Sequence, residues 1–283
     1  MEIPFIKMHG LGNNYIFIDT FKFNLEEDML PALARKVSDP HTGIGSDGLI
    51  LIHPSDQAEV GMRIFNKDGS EGRNCGNGLR CVAKYAYEYG LVNQTSFKIE
   101  AKSGVVEASV SVEDKQVTDI TIDMGKPKLE RSLIPMAGPK ADQVVAEQFE
   151  VSHHPLELTA VSMGNPHAVF FVEDIQTAPV HELGPIITDD QRFPEGVNVE
   201  FVEVVSEQEV HFRVWERGSG ITQACGTGAC AAGVAAVLNG YARKNSEILV
   251  HLSGGDLIIR WDEEDRVWMT GPAAIIAEGT YHY

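Results

Sequence analysis

What the chain has little of narrows its function first. It is short of positive charge: 23 Lys and Arg stand against 41 Asp and Glu, a formal net charge of −18 over 283 residues. An acidic surface repels phosphate backbones, so nucleic acid is not expected as a partner. It does not forbid an anionic substrate, because local backbone dipoles outweigh distant surface charge. Cysteine is scarce as well, four residues in all. That is too few for a disulfide framework and reads as reduced thiols in a cytoplasmic protein. The pairs Cys75/Cys81 and Cys225/Cys230 lack the C-x-x-C or paired-histidine spacing of common zinc sites, so no metal is expected. No apolar run approaches the length of a membrane helix. The opening MEIPFIKMHG has no basic segment followed by an apolar stretch. Neither a membrane span nor a signal peptide is expected.

What remains is ordinary globular composition, 43% hydrophobic and 23% charged, at a length that suits two domains. Within it one small device occurs twice. RNCGNGLR starts at Arg73 and QACGTGAC at Gln223, each placing C-G-x-G before an apolar helical pattern. The match extends upstream. RIFNK from Arg63 faces RVWER from Arg213, GNNYIF from Gly12 faces GNPHAV from Gly164, and GSD from Gly45 faces GVN from Gly196. SGVVE from Ser103 faces SGGDL from Ser253. The offsets stay between 150 and 152 along the half-chain. Several matches in one order at one spacing indicate a duplicated domain.

Each half is rich in strand patterns. YIFID from Tyr15, LILI from Leu49, GMRIF from Gly61 and VVEASVSV from Val105 read as strands in the first. AVFFV from Ala168, VEFV from Val199, VHFRVW from Val210 and DLIIRW from Asp256 do so in the second. EEDMLPALARK from Glu26 reads as an amphipathic helix weakened by Pro31. After each C-G-x-G comes a second kind of helix. Leu79, Val82, Ala83 and Ala86 recur at helical spacing, and ACAAGVAAVL from Ala229 is apolar all round, the mark of a buried helix. The expected fold is α+β: two pseudo-symmetric domains, each a curved β-rich sheet around one central helix, with the active site between them. The proline-containing stretch 126–160 reads as the join.

A helix start offers unpaired N–H groups and partial positive charge, which suit a carboxylate. A cysteine there gains thiolate character. Cys81 and Cys230, inside the helical patterns, read as inert packing. Cys75 and Cys225 hold matching places in the repeat, at helix starts among glycines. Two equivalent thiols suit a racemase, which removes a proton from one face of a carbon and returns one to the other. Helix N-termini aimed at the substrate carboxylate would stabilise the charge that develops as the proton leaves. No pyridoxal-lysine motif is apparent.

The segments MHGLGN from Met8, FNKDGS from Phe65 and NCGNG from Asn74 resemble signatures of the diaminopimelate epimerase family. So do GNPH from Gly164, GVNV from Gly196, WERG from Trp215 and ACGTG from Ala224. The resemblance covers essentially the whole chain in order. It implies a cofactor-independent epimerase that interconverts L,L- and meso-diaminopimelate, with Cys75 and Cys225 as the acid/base pair. It implies that the backbone at Gly76, Asn77, Gly226 and Thr227 holds the reacting α-carboxylate. Asn13, Asn66, Asn165, Asn198, Glu216 and Arg217 would fix the far amino acid end, by a bidentate arginine and by oxygens that accept from an ammonium. His167 and Glu216 would tune the thiols. Domains over 1–120 and 121–270 are expected, with a C-terminal strand at about 271–283 returning to the first, and a homodimer. Two places depart from the family pattern. Asn14 stands where an acid is usual, and Gly48 where some members have glutamine. The rival readings are a proline-type racemase with paired cysteines but an apolar pocket, and a thiol redox or metal-binding protein.

Overall fold

The computed structural model describes residues 1–72 and 75–283. Arg73 and Asn74, which open the stretches RNCGNGLR and NCGNG, lie outside the described residues. The chain forms two compact units, residues 1–123 with 270–283, and residues 124–269.

The first unit begins with strands β1 (Glu2–Gly10) and β2 (Asn13–Asp19), helix α1 (Leu30–Ser38), and strands β3 (Gly48–His53) and β4 (Val60–Asn66). Helix α2 (Gly76–Glu88) and strands β5 (Ser96–Ala101), β6 (Gly104–Glu113) and β7 (Gln116–Asp123) follow. β1 pairs antiparallel with β2 and with the C-terminal strand Ala274–His282. β2 runs parallel to β3, β3 antiparallel to β4, β4 parallel to β5, and β5, β6 and β7 form an antiparallel meander.

The second unit holds β8 (Glu147–Val151), β9 (His154–Ser162), β10 (Pro166–Val172), helix α3 (Val180–Thr188), β11 (Asn198–Ser206) and β12 (Glu209–Glu216). The short β13 (Gly220–Ile221), helix α4 (Gly226–Leu238), β14 (Glu247–Leu252) and β15 (Gly255–Trp261) follow. Its ladders repeat the first unit's order of directions. β9 is antiparallel to β10, β10 parallel to β11, β11 antiparallel to β12, β12 parallel to β14, and β14 antiparallel to β15. The duplication read from residue spacing is therefore also a duplication of strand pairing.

Strand alternation decides what faces each helix. In the first unit Ile16, Ile18, Leu49 and Leu51 pack with Leu33 and Val37 of α1. Tyr15 and Ile50 point the other way, toward the start of α2. In the second unit Ala168, Phe170, Val199 and Phe201 pack with Leu183 and Ile187 of α3. His167 and Glu200 alternate with them and turn to the opposite face, where α4 packs. α2 packs on β1, β2, β4, β6 and β7, and α4 on β9, β10, β11, β12, β14 and β15. Each is the central helix of its unit. Leu79, Val82, Ala83 and Ala86 are fully buried, as are Cys81 and Cys230. Both helices stop before a glycine with positive φ, Gly90 at +73° and Gly240 at +75°, where a side chain would be strained.

Two local expectations are revised, and one helix was not foreseen. The helix expected from Glu26 opens with a single 3-10 turn, Glu27–Met29, and becomes α-helical only at Leu30. Pro31 lies in the first α-helical turn, where its missing N–H costs nothing. The stretch read as a join holds the β8–β9 hairpin, with Pro155 opposite Glu150. Helix α3 carries Pro185 inside it, which hid it from the periodicity.

Candidate active site

In both units the cysteine of C-G-x-G is the N-cap residue of the central helix. Cys75 has extended backbone (φ −152°, ψ 106°), and its Sγ accepts from the Gly78 N–H at 3.3 Å. Cys225 has the same extended geometry (φ −117°, ψ 101°). A cap residue must leave the helical region while its side chain turns back on the first-turn N–H groups, so the sulfur sits where a helix start is most electropositive.

Around Cys75 the side chains form one connected group. Its Sγ lies 3.6 Å from Asn13 Oδ1 and 3.7 Å from Tyr15 Oη. Asn77 Nδ2 donates to Asn13 Oδ1 at 3.1 Å, and Arg80 Nη2 donates to Asn77 Oδ1 at 2.9 Å. Arg80 is fully buried, and its Nε donates to the Pro272 carbonyl at 3.2 Å. Asp47 holds the other end of Asn13, accepting from its Nδ2 at 2.9 Å, and accepts from the Asn14 backbone at 2.8 Å. Asn14 Nδ2 also faces Asp47 at 3.4 Å, a donation that an ionised acid at this place could not make. At Gly48 a Cβ would stand 2.2 Å from the Phe65 carbonyl oxygen and 3.1 Å from Tyr15. On this backbone the glycine is what lets β4 and Tyr15 close up.

Around Cys225 the group is different. His167 Nδ1 donates to Glu200 Oε1 at 2.6 Å, and both side chains are fully buried. His167 Nε2 meets Asn165 Oδ1 at 3.1 Å, Asn165 Nδ2 donates to Thr227 Oγ1 at 3.2 Å, and Thr227 Oγ1 lies 3.7 Å from Cys225 Sγ. A Cβ on Gly228 would stand 3.0 Å from Glu200 Oε1 and 3.1 Å from Cys225 Sγ, so acid and thiol share the wall of this first turn. Asn198 Nδ2 donates to the Pro166 carbonyl at 3.0 Å, and its Oδ1 accepts from the Arg217 N–H at 2.9 Å. Glu216 accepts from the Thr222 hydroxyl.

Burial pushes the Cys75 thiol up, and the Gly78 N–H, the Tyr15 hydroxyl and the Arg80 charge oppose it. Cys225 is pushed well above the usual thiol range, by burial first and then by the Glu216 and Glu200 carboxylates. Burial likewise raises Tyr15 and Glu200, with His167 opposing the rise at Glu200.

Of the residues named from sequence, Asn13, Gly76 and Asn77 gather at Cys75. Asn165, His167, Gly226 and Thr227 gather at Cys225, with Asn198 the ladder partner of His167. Two stand apart. Asn66 is exposed at the end of β4, where its amide donates to Ser70 Oγ at 3.0 Å. Arg217 is exposed, and its guanidinium donates to the Glu195 and Gly196 carbonyls at 2.6 and 3.4 Å. Sequence reading missed Tyr15, Asp47, Arg80 and Glu200 as parts of these groups. Tyr15 could have been found, because it matches His167 at the same repeat offset as Asn13 matches Asn165. Glu200 also left a trace, as a lone acid inside the apolar run VEFV.

The diaminopimelate epimerase sequence profile matches residues 5–130 and 159–276. The chain belongs to the diaminopimelate epimerase family. A relative from Geobacillus thermodenitrificans, named diaminopimelate epimerase, is 66% identical over 279 residues, 99% of this chain and 96% of its own. Among solved structures, a Bacillus anthracis phenazine biosynthesis protein of the PhzF family matches at TM-score 0.73 and 18% identity over the full length of both chains. A probable proline racemase from Agrobacterium radiobacter matches at 0.71 and 15% over 99% of this chain and 93% of that one. At such identities the likeness is one of fold, the two-domain α+β architecture expected from the duplication. Among the described residues, no helix is long and apolar enough to cross a membrane. Nor does any group of three or more His, Cys, Asp or Glu among them have the arrangement of a metal site.

Proposed function

We propose that this protein is an amino-acid epimerase that interconverts L,L- and meso-diaminopimelate without pyridoxal phosphate. The observation that carries this reading is the paired cysteine caps: one thiol at the start of each central helix, in a chain 66% identical to a named diaminopimelate epimerase. One cysteine, as thiolate, takes the α-proton. The electron pair left behind delocalises into the α-carboxylate, and the other cysteine, as thiol, returns a proton to the opposite face. First-turn N–H groups at Gly76, Asn77, Gly226 and Thr227 bind that carboxylate and stabilise its developing charge. Asn13, Asn66, Asn165, Asn198, Glu216 and Arg217 bind the far amino acid end, while His167 and Glu216 act on the thiols. The two environments suit unequal roles. Gly78, Tyr15 and Arg80 favour the Cys75 anion, and two carboxylates disfavour that of Cys225. The reading includes domains over 1–120 plus about 271–283 and over 121–270, and a cytoplasmic homodimer.

The test is incubation of the reduced protein with L,L-diaminopimelate in heavy water without added pyridoxal phosphate. Meso product carrying α-deuterium is expected. Cys75→Ser and Cys225→Ser should each lose roughly 100-fold or more of the turnover, the scale of a missing general acid or base. Absence of exchange with diaminopimelate, but exchange with proline, would overturn the substrate. Near-normal turnover in either variant would remove that cysteine from the mechanism.

A further inference from the structure

Glu200 is a fully buried carboxylate on the α4 face of β11. Its Oε1 accepts from His167, and its Oε2 is buried with no hydrogen-bond partner among the described residues. A buried carboxylate is costly for the fold, because the desolvation of the acid and its partner is repaid only by good geometry between them. Its place in a hydrogen-bond chain gives it a use. From Glu200 the chain runs through His167, Asn165 and Thr227 to Cys225, with links of 2.6, 3.1, 3.2 and 3.7 Å.

The chain has a direction. A carboxylate oxygen only accepts, so the His167 Nδ1 must donate to it. Nε2 faces the Asn165 carbonyl oxygen, so it too must carry a hydrogen: beside the carboxylate the ring holds both, and the Asn165 amide nitrogen is turned toward Thr227. Thr227 Oγ1 accepts from that amide, so its own hydrogen is left for the Cys225 sulfur. Without the carboxylate, a neutral ring needs only one donor. The Asn165 amide can reverse, the Thr227 hydrogen is then consumed by the Asn165 oxygen, and Cys225 loses its donor. We propose that Glu200 is a positioning residue of the Cys225 centre, which sets the direction of this chain so that the Thr227 hydroxyl donates to the sulfur. This rests on the reading of Cys225 as an acid/base thiol. The charged and titratable groups acting here are Glu200, His167 and Glu216, the last affecting both Cys225 and Glu200.

A double-mutant cycle tests it, read on the thiol itself. The pH midpoint of iodoacetamide alkylation is followed on the Cys225 peptide by mass spectrometry, with the Cys75 peptide in the same digest as reference. Thr227→Val removes the donor, so it should raise the Cys225 midpoint. In Glu200→Leu and Glu200→Gln backgrounds the same substitution should leave it unchanged, because residues 200 and 227 are linked through His167 and Asn165. An equal shift in all three backgrounds overturns the proposal. Glu200→Leu should also lower kcat/KM by roughly tenfold, and it should lower the urea midpoint, because the buried His167 ring loses its partner. Full activity in Glu200→Leu overturns the proposal as well, and Glu200→Gln carries both readouts if the leucine variant does not fold. Alkylation needs no substrate, so the cycle stands apart from the identity of the epimerised amino acid. If the unsubstituted protein fails to epimerise diaminopimelate, it is the functional reading that falls.

Discussion

Arg80 is the largest fully buried side chain among the described residues, and replacing it by methionine perturbs fold and thiol together. Its Nη2 donates to Asn77 Oδ1 at 2.9 Å and its Nε to the Pro272 carbonyl at 3.2 Å. Hydrogen bonds from a charged donor contribute about 1.5–3 kcal/mol each. Methionine fills much of the same volume and relieves the cost of a buried guanidinium, so part of that loss is offset. The expected net effect is a destabilisation of about 2–4 kcal/mol, read as a lower urea midpoint at unchanged slope. The second consequence is electrostatic. The Arg80 charge opposes the rise of the Cys75 thiol, whereas the charges acting most on Cys225 are Glu216 and Glu200. Alkylation of Cys75 should therefore need higher pH in Arg80→Met, while Cys225 keeps its profile. Lysine should restore the charge but not both hydrogen bonds, because its ammonium has no planar fork. Unchanged urea and alkylation midpoints in Arg80→Met would refute the role assigned to Arg80 at the Cys75 centre.

Two more outcomes follow from the same geometry. Gly228→Ala would set a methyl 3.0 Å from Glu200 Oε1 and Phe212 Cζ and 3.1 Å from Cys225 Sγ. A gain of about 1 kcal/mol in helix propensity opposes crowding of about 1–3 kcal/mol, so the urea midpoint should hold or fall, by a net of at most about 2 kcal/mol. Epimerase turnover should drop by roughly tenfold as the sulfur is displaced by tenths of an ångström. On the acid side, hydrogen bonds from Arg63 hold the Glu71 carboxyl below its usual 4.5, and those from Arg192 hold Asp190 below 3.8. A lowered folded-state value contributes stability that is complete above the unfolded value and is lost as pH falls through the folded one. Urea midpoints should thus decline below about pH 4.5, and less steeply once Arg63 and Arg192 are replaced by methionine.

Much of the architecture was legible because it is written in periodicity. The strand runs from Tyr15, Leu49, Ala168 and Val199 are strands, and both C-G-x-G motifs start helices, since alternation and cap chemistry are local. The near-constant repeat offset announced the shared ladder order. What was not legible depends on register and on side chains that meet across elements. Nothing near Asp47 in sequence says that it will hold Asn13. Glu200 reaches His167 only because β10 and β11 run parallel with His167 beside Asn198. Arg80 was passed over in sequence, since its partner at the Pro272 carbonyl lies 192 residues away. Asn66 and Arg217 show the opposite case. Both were named by motif, and both have side chains engaged by nearby loop and turn atoms.

The pairing of β1 with a strand at Ala274–His282 bears on how the chain comes to be folded during synthesis. One neighbour of β1 is encoded next to it and the other only after the whole of 124–269, so the second unit is finished on the ribosome before the first. Until then β1 offers an open edge to any passing strand, the usual route to misassembly. β1 carries Pro4, opposite Thr280 in the finished ladder, a residue with no N–H to lend to a passing strand.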